Sequence, residues 1–389
     1  MKLPRLRTNA NSQNHVFVIS PPPADRIFLT AVILLSVFGS FMVFSAGYAY
    51  AEFRYDNPNF FIHRQTVWWL TGIITMLISS RIKPEFYKKA TPYLYGITLI
   101  LLVLVLAIGL VGNGAQRWIS IGPLTIQPSE IAKMTIVMML AYYFSQEEKK
   151  ALDKSNKKNT FVYGTLIPCT ILAVPIILIM LQKHLSCIII VGLIGILVII
   201  ASGINTKYIA MFTGAGALGV TCLAVFTDYT KERITVWRNP EQYKLTGGWQ
   251  TLQGLMAIGS GGIFGLGYGN SILKYCYVSE PANDMIFSIL CEELGFVGAL
   301  FTLAMFAFLV ARGYKIALRA KNVFERLVIF GVCTKIAVQA LLNVAVVTNT
   351  IPNTGISLPF FSYGGSSLVM LFFETGMVLS FSRYAKITK

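Results

Sequence analysis

Residues 284–311 read Asp-Met-Ile-Phe-Ser-Ile-Leu-Cys-Glu-Glu-Leu-Gly-Phe-Val-Gly-Ala-Leu-Phe-Thr-Leu-Ala-Met-Phe-Ala-Phe-Leu-Val-Ala. As a helix rising about 1.5 Å per residue, such a run outreaches a hydrocarbon core of about 30 Å. It therefore reads as a membrane span with an acidic residue at its start and two more inside it. Comparable apolar runs occur near 28–49, 65–80, 92–111, 129–145, 160–181, 185–203, 207–227, 327–349 and 366–382. The fold class this predicts is all-α: a polytopic membrane protein of about ten transmembrane helices.

The composition agrees. Of 389 residues, 55% are hydrophobic and only 13% charged, against roughly 25% charged in a soluble domain. The net charge of +16 admits either a nucleic-acid partner or the positive-inside rule, and the placement of the charges decides. With the N-terminus in the cytoplasm, cytoplasmic segments carry 22 Lys and Arg and external ones 9. Both termini are thus expected inside the cell, and no nucleic acid is needed to explain the charge. Residues 1–25 read as a cytoplasmic tail without a cleavable signal, and 26–389 as one membrane domain. The six cysteines suggest neither a disulfide framework nor a metal site. The histidines lack zinc spacing, and nothing calls for haem.

The unusual sequence lies outside. One external loop, about 228–283, is far longer than the rest. A second, 112–128, holds Asn113-Gly-Ala-Gln-Arg-Trp118 and leads into Gln127-Pro-Ser-Glu130. A third, 350–365, has no charge but much Pro, Gly and Ser. Chemistry is expected near the outer headgroups.

Asp284 enters the eighth span from the long loop. It is either a helix N-cap or a carboxylate able to take a proton or bind a cation. Glu292 and Glu293 lie about 12–14 Å deeper by helical rise, where carboxylates are rare and usually paired or functional. Lys335 of the ninth span has a matching depth, so an ion pair with Glu292 or Glu293 is expected, Glu374 being the alternative partner. Glu130 and Lys133, three residues apart, share a helix face. They form a local salt bridge, or Lys133 and Arg117 offer charge to a diphosphate. Ser362-Tyr-Gly-Gly-Ser-Ser367 opens the last span, either as a cap or as an anion site at a helix N-terminus. The glycine-rich run Gly259–Gly269 lacks the strand and Lys-Ser/Thr of a nucleotide loop. It is expected to be a flexible or re-entrant outer segment, with no nucleotide.

These motifs converge. Asn113–Trp118, Gln127–Lys133, Trp249–Gly269, Glu280–Gly295 and Pro352–Ser367, in this order, resemble the SEDS family (shape, elongation, division and sporulation) of FtsW/RodA type. The Glu-Pro-Ala-Asn-Asp284 form and the Cys-Glu-Glu-Leu-Gly295 end look more like its division and sporulation branch than its elongation branch. The resemblance implies a peptidoglycan glycosyltransferase of the cytoplasmic membrane that polymerises lipid II. It also implies a class B penicillin-binding protein as partner, with other divisome or elongation proteins and membrane lipids around it. The family's essential acid aligns with Asp284. Two departures stand out. Ala282 occupies a position that is often His, and Gln182-Lys-His-Leu-Ser186 replaces a common Gln-Pro-Asp-Leu-Gly.

The implied reaction inverts an anomeric carbon: a sugar hydroxyl attacks and undecaprenyl diphosphate leaves. Asp284 is the candidate base, or it holds a divalent cation, Mg2+ or Mn2+. Arg117, Lys133 and Lys274 are candidate phosphate contacts, with Ser366 and Ser367 at the last helix start. Glu130, Gln253 and Glu280 complete the expected substrate site. The intramembrane charges also support a different reading, a lipid II flippase, and an inert Asp284 would suit a scaffold for a transpeptidase.

Overall fold

The computed structural model describes residues 23–112, 115–121, 124–153, 155–204 and 228–385, with Ala210 and Gly214. Nine of the ten expected apolar runs lie on helices; the seventh, 207–227, lies outside the described residues except for Ala210 and Gly214. Six helical stretches are long and apolar enough to cross a membrane among the described residues.

Helix α1 (Arg26–Tyr55) starts where the Asp25 carboxylate accepts the Phe28 amide at 2.9 Å. The same carboxylate takes Arg312 Nη2 at 2.6 Å, tying this start to the far end of a later helix. Helices α2 (Phe60–Ser79) and α3 (Pro84–Ile108) follow. Then come three short antiparallel strands, β1 (Leu110–Gly112), β2 (Ala115–Ile121) and β3 (Leu124–Ile126). They were not expected from the sequence. Ile119 of β2 is buried while its neighbours Trp118 and Ser120 are exposed, the period-2 pattern of a strand lying on a core.

Helix α4 (Pro128–Ala151) precedes α5 (Lys157–Phe161), a π-helical turn (Val162–Leu166) and α6 (Ile167–Leu181). Pro168 cannot donate to the Gly164 carbonyl four residues back, and the widened turn absorbs that lost bond. Helix α7 (Leu185–Ala201) ends this half.

The expected long loop is itself structured. It contains α8 (Asp228–Arg238) and α9 (Trp249–Ser260), then turns leading into α10 (Ile286–Leu318). Helices α11 (Val323–Val347) and α12 (Gly365–Tyr384) complete the bundle. α2 and α12 pack closely because Gly72 leaves room for the Phe372 ring and Gly376 lies on Ser79 and Met76, as small residues allow in membranes.

The glycine-rich run is re-entrant, one of the two forms expected for it. α10 breaks at Gly295, whose φ is +65°, a conformation suited to glycine. Residues 262–267 lie along the break. Leu266 N–H donates to the Glu292 carbonyl and Gly267 N–H to that of Glu293, both at 2.9 Å. Phe296 N–H in turn donates to the Gly262 carbonyl at 2.9 Å and Val297 N–H to that of Ile263 at 3.1 Å. The backbone groups freed by the kink are thereby satisfied, as a membrane interior demands.

The 350–365 segment also turns inward. Ile356, Leu358, Phe360 and Phe361 are buried, and Gly39 of α1 lets the Phe360 carbonyl come close.

The expected ion pair between Lys335 and Glu292 or Glu293 is not formed. Lys335 pairs with Glu374 on α12, both fully enclosed. The two glutamates instead anchor the segment before α10. Ser271 Oγ donates to Glu292 Oε2 at 2.5 Å, and the Ile272 amide to Oε1 at 3.0 Å. Matching helical depth could not separate these partners, because it carries no information on which face each residue occupies.

Candidate functional site around Asp284

The turn before α10 carries Asp284. Glu280 has a φ of +52° and accepts from Asn283 Nδ2 at 2.6 Å. Ser362 Oγ donates to the Asn283 carbonyl at 2.7 Å, and the Tyr363 amide to that of Ala282 at 2.8 Å. Asn343 Nδ2 of α11 donates to the carbonyls of both Asp284 (2.8 Å) and Ile356 (2.6 Å). Two segments distant in sequence, α11 and the 350–365 stretch, are thus bonded to one turn.

Asp284 does not serve as a helix cap; the N-cap of α10 is Met285, and no side chain caps it. Its half-buried carboxylate accepts from Gln250 Nε2 of α9 at 3.5 and 3.4 Å. Burial, then the nearby Glu280 charge, raises its pKa to about 6, while Gln250 and Arg233 pull the other way. A carboxylate so placed can exchange protons near neutral pH.

The other expected contacts divide. Gln253 lies buried on α9 three residues from Gln250. Glu280 is exposed. Arg117, on β2, donates to the Lys183 carbonyl at 2.7 Å. Lys133 pairs with Glu130 at 2.7 Å, the local salt bridge, and reaches Gln339 at 3.5 Å. Gln339 donates to Ser357 at 3.0 Å. Glu130, Lys335, Gln339, Ser357, Ser362 and Ser367 line a cavity of about 20 Å³, the size of one water. Ser366 is half-buried at the α12 start. His184 sits beside this group, and burial with the charges of Arg117 and Lys133 holds its pKa near 3. Ser186 Oγ donates to the Thr354 carbonyl, so segment 350–365 touches both this cluster and the Asp284 turn.

Lys274, the third expected phosphate contact, is enclosed. It is only 3% exposed, pairs with Glu293 at 3.0 Å and donates to Ser45 Oγ at 3.2 Å and the Gly269 carbonyl at 2.7 Å. Those partners occupy its ammonium, an arrangement that suits a structural pin.

No group of three or more His, Cys, Asp or Glu side chains suited to a metal occurs among the described residues. Asp284 still fits a divalent ion held by one carboxylate together with substrate phosphate oxygens, a common Mg2+ arrangement.

A family model described as cell cycle protein, FtsW/RodA/SpoVE, matches residues 25–387. The chain belongs to this family. Stage V sporulation protein E of Bacillus subtilis is 35% identical over 364 residues, covering 93% of this chain and 98% of that protein. The probable peptidoglycan glycosyltransferase FtsW of Geobacter sulfurreducens is 35% identical over 366 residues, covering 93% and 96%. In fold, a chain from a peptidoglycan synthase complex that coordinates polymerization and crosslinking superposes with a TM-score of 0.76 at 24% identity, covering 93% of this chain and 98% of its own. This FtsW/RodA/SpoVE member is a membrane protein.

Sequence reading missed the side chains bonded to Asp284, namely Gln250 and Asn343, and behind them Asn353, bonded to Gln250, and Arg233, bonded to Asn353. Gln250 and Asn353 fall inside the resembling stretches, which was their one signal. Asn343, the amide in the apolar stretch 340–347 of α11, could have been singled out as an intramembrane polar group with a partner to find.

Proposed function

We propose that this chain polymerises lipid II into glycan strands at the outer face of the cytoplasmic membrane, within a bundle of about ten spans with both termini inside. The observation that carries the reading is Asp284: a half-buried carboxylate with a pKa near 6, seated at the turn into α10. Its setting, in a chain related along nearly its whole length to a peptidoglycan glycosyltransferase, gives that carboxylate a reaction.

Asp284 takes the proton from the acceptor sugar hydroxyl as that oxygen attacks the anomeric carbon of the lipid-linked strand. Attack from the face opposite the leaving group inverts the centre. Undecaprenyl diphosphate departs, and Arg117, with Ser366 and Ser367 at the α12 start, supports its charge. In its alternative role Asp284 would instead hold a divalent ion, which would neutralise part of that charge. The lipid tail stays in the bilayer throughout.

A class B penicillin-binding protein is the proposed partner, in line with the coupled polymerization and crosslinking of the complex that shares this fold. A flippase reading is weaker. Lys335 with Glu374, Lys133 with Glu130 and Lys274 with Glu293 are paired within the protein, leaving these charges committed rather than ready to carry a headgroup.

The test is polymerisation of purified lipid II by the full chain, alone and with a class B penicillin-binding protein, for wild type and Asp284→Ala. Strands from wild type and none from the variant, with both folded, are expected. An active Asp284→Ala protein removes Asp284 from its role. No strands from folded wild type in either condition, with divalent cation added, would overturn the polymerase assignment.

A further inference from the structure

A directed chain of amides stands behind the Asp284 carboxylate. The Gly355 N–H donates to Asn353 Oδ1 at 3.1 Å. Asn353 Nδ2 donates to Gln250 Oε1 at 3.0 Å. Gln250 Nε2 then donates to both Asp284 oxygens, at 3.5 and 3.4 Å.

Each link orients the next. A backbone N–H can only donate, so Asn353 must turn its oxygen to Gly355 and its nitrogen to Gln250. Gln250 must then offer its oxygen to Asn353 and its nitrogen to Asp284. The anchor is itself held. Arg233 Nη1 donates to the Asn353 carbonyl, and Asn343 fixes the backbone on both sides of the carboxylate. Gly355, at φ +69°, lies against Asp284: a Cβ there would stand 3.5 Å from Oδ2.

We propose that Gln250 and Asn353 are positioning residues. They form a relay that transmits the direction of the Gly355 N–H to the Asp284 carboxylate and holds it toward the acceptor hydroxyl. The proposal rests on the polymerase reading above.

The relay makes an unusual demand at Asn353. In Asn353→Ala, Gln250 merely loses its guide. In Asn353→Asp, an ionised carboxylate accepts from Gly355 and from Gln250 Nε2, which turns Gln250 Oε1 onto Asp284. The isosteric variant should therefore be the worse one, whereas a packing role predicts the reverse.

The experiment measures initial rates of lipid II polymerisation by the purified full chain in nanodiscs for wild type, Gln250→Ala, Asn353→Ala, Asn353→Asp and the double alanine variant. Thermal unfolding is the folding control. A misplaced reacting group costs up to about 100-fold. The expected losses are about 10–100-fold in kcat for each alanine variant, with KM for lipid II within about twofold. The double variant should be no worse than the poorer single, because both act through one orientation. Asn353→Asp should fall below Asn353→Ala. Asn353→Asp at or above Asn353→Ala, or losses that multiply, would overturn the relay. If the Asn353 variants fail to fold, Gln250→Met keeps the length and drops the amide: the same loss supports the relay, and full activity overturns it. Wild type that makes no strands strikes the polymerase reading instead, and the relay's purpose with it.

Discussion

At Asp284, two effects compete over one proton. Burial and Glu280 favour the neutral acid, while Gln250 and Arg233 favour the carboxylate; burial wins and the pKa rises to about 6. A base must be ionised, which holds above that value. The polymerisation rate should therefore fall about tenfold per pH unit below pH 6 and level off toward neutrality. Initial rates between pH 5 and 8 check this, and a flat profile would rule out Asp284 as the base. Lys274 poses the opposite case. Lys274→Met strands Glu293 and Ser45 in a buried site, and breaking such a pair costs about 3–5 kcal/mol. Its measured consequence should be a lower unfolding temperature, with KM for lipid II unchanged in the molecules that remain folded. A raised KM at unaltered stability would restore Lys274 as a phosphate contact.

Among the elements, the break in α10 has the clearest consequence. Gly295 is held at φ +65° by the re-entrant 262–267 segment, and a Cβ there would press on the Gly265 amide and the Ile263 carbonyl. Gly295→Val should push the segment off the helix and break the four hydrogen bonds in which eight backbone groups now satisfy one another. The strained backbone alone costs about 1–3 kcal/mol. Limited proteolysis near 259–269 should speed up well before global unfolding; unchanged cleavage would mean that the segment holds without the break. The 350–365 segment shows why composition misleads about loops. Its Pro, Gly and Ser read as an exposed connection, yet Ile356, Leu358 and Phe360 alternate along it and are buried. It therefore plugs the bundle and carries Asn353 to the acid.

For the molecule as a whole, the proposed topology, argued from the charge bias, puts Asp284 outside. Cys276, the exposed free cysteine among the described residues, lies in the same segment as Asp284. A membrane-impermeant thiol reagent added to intact spheroplasts should label Cys276, whereas Ser155→Cys, in the basic segment between α4 and α5, should be labelled only after permeabilisation. Reversed labelling would invert the topology and move the proposed chemistry to the other face.

The family and the membrane class were readable from the chain, and Asp284 could be singled out as the candidate acid, because each reading depends on local order: apolar runs of spanning length, Lys and Arg counted by segment, and motifs in a fixed succession. The small sheet at 110–126 escaped because its strands are three to seven residues long, too short for periodicity to stand out. Partner choice escaped for another reason. Lys335 lies at a depth that suits Glu292, Glu293 and Glu374 equally well along the membrane normal, and only the rotation and packing of α10, α11 and α12 select Glu374. In the same way, Lys274 reads as an external cation until folding seats it between Glu293 and Ser45. The amides around Asp284 come from α9, α11 and the 350–365 segment, up to about a hundred residues apart. Sequence supplies the acid at its turn, but a hydrogen bond depends on ångström distances and donor direction, and only the packed bundle fixes those.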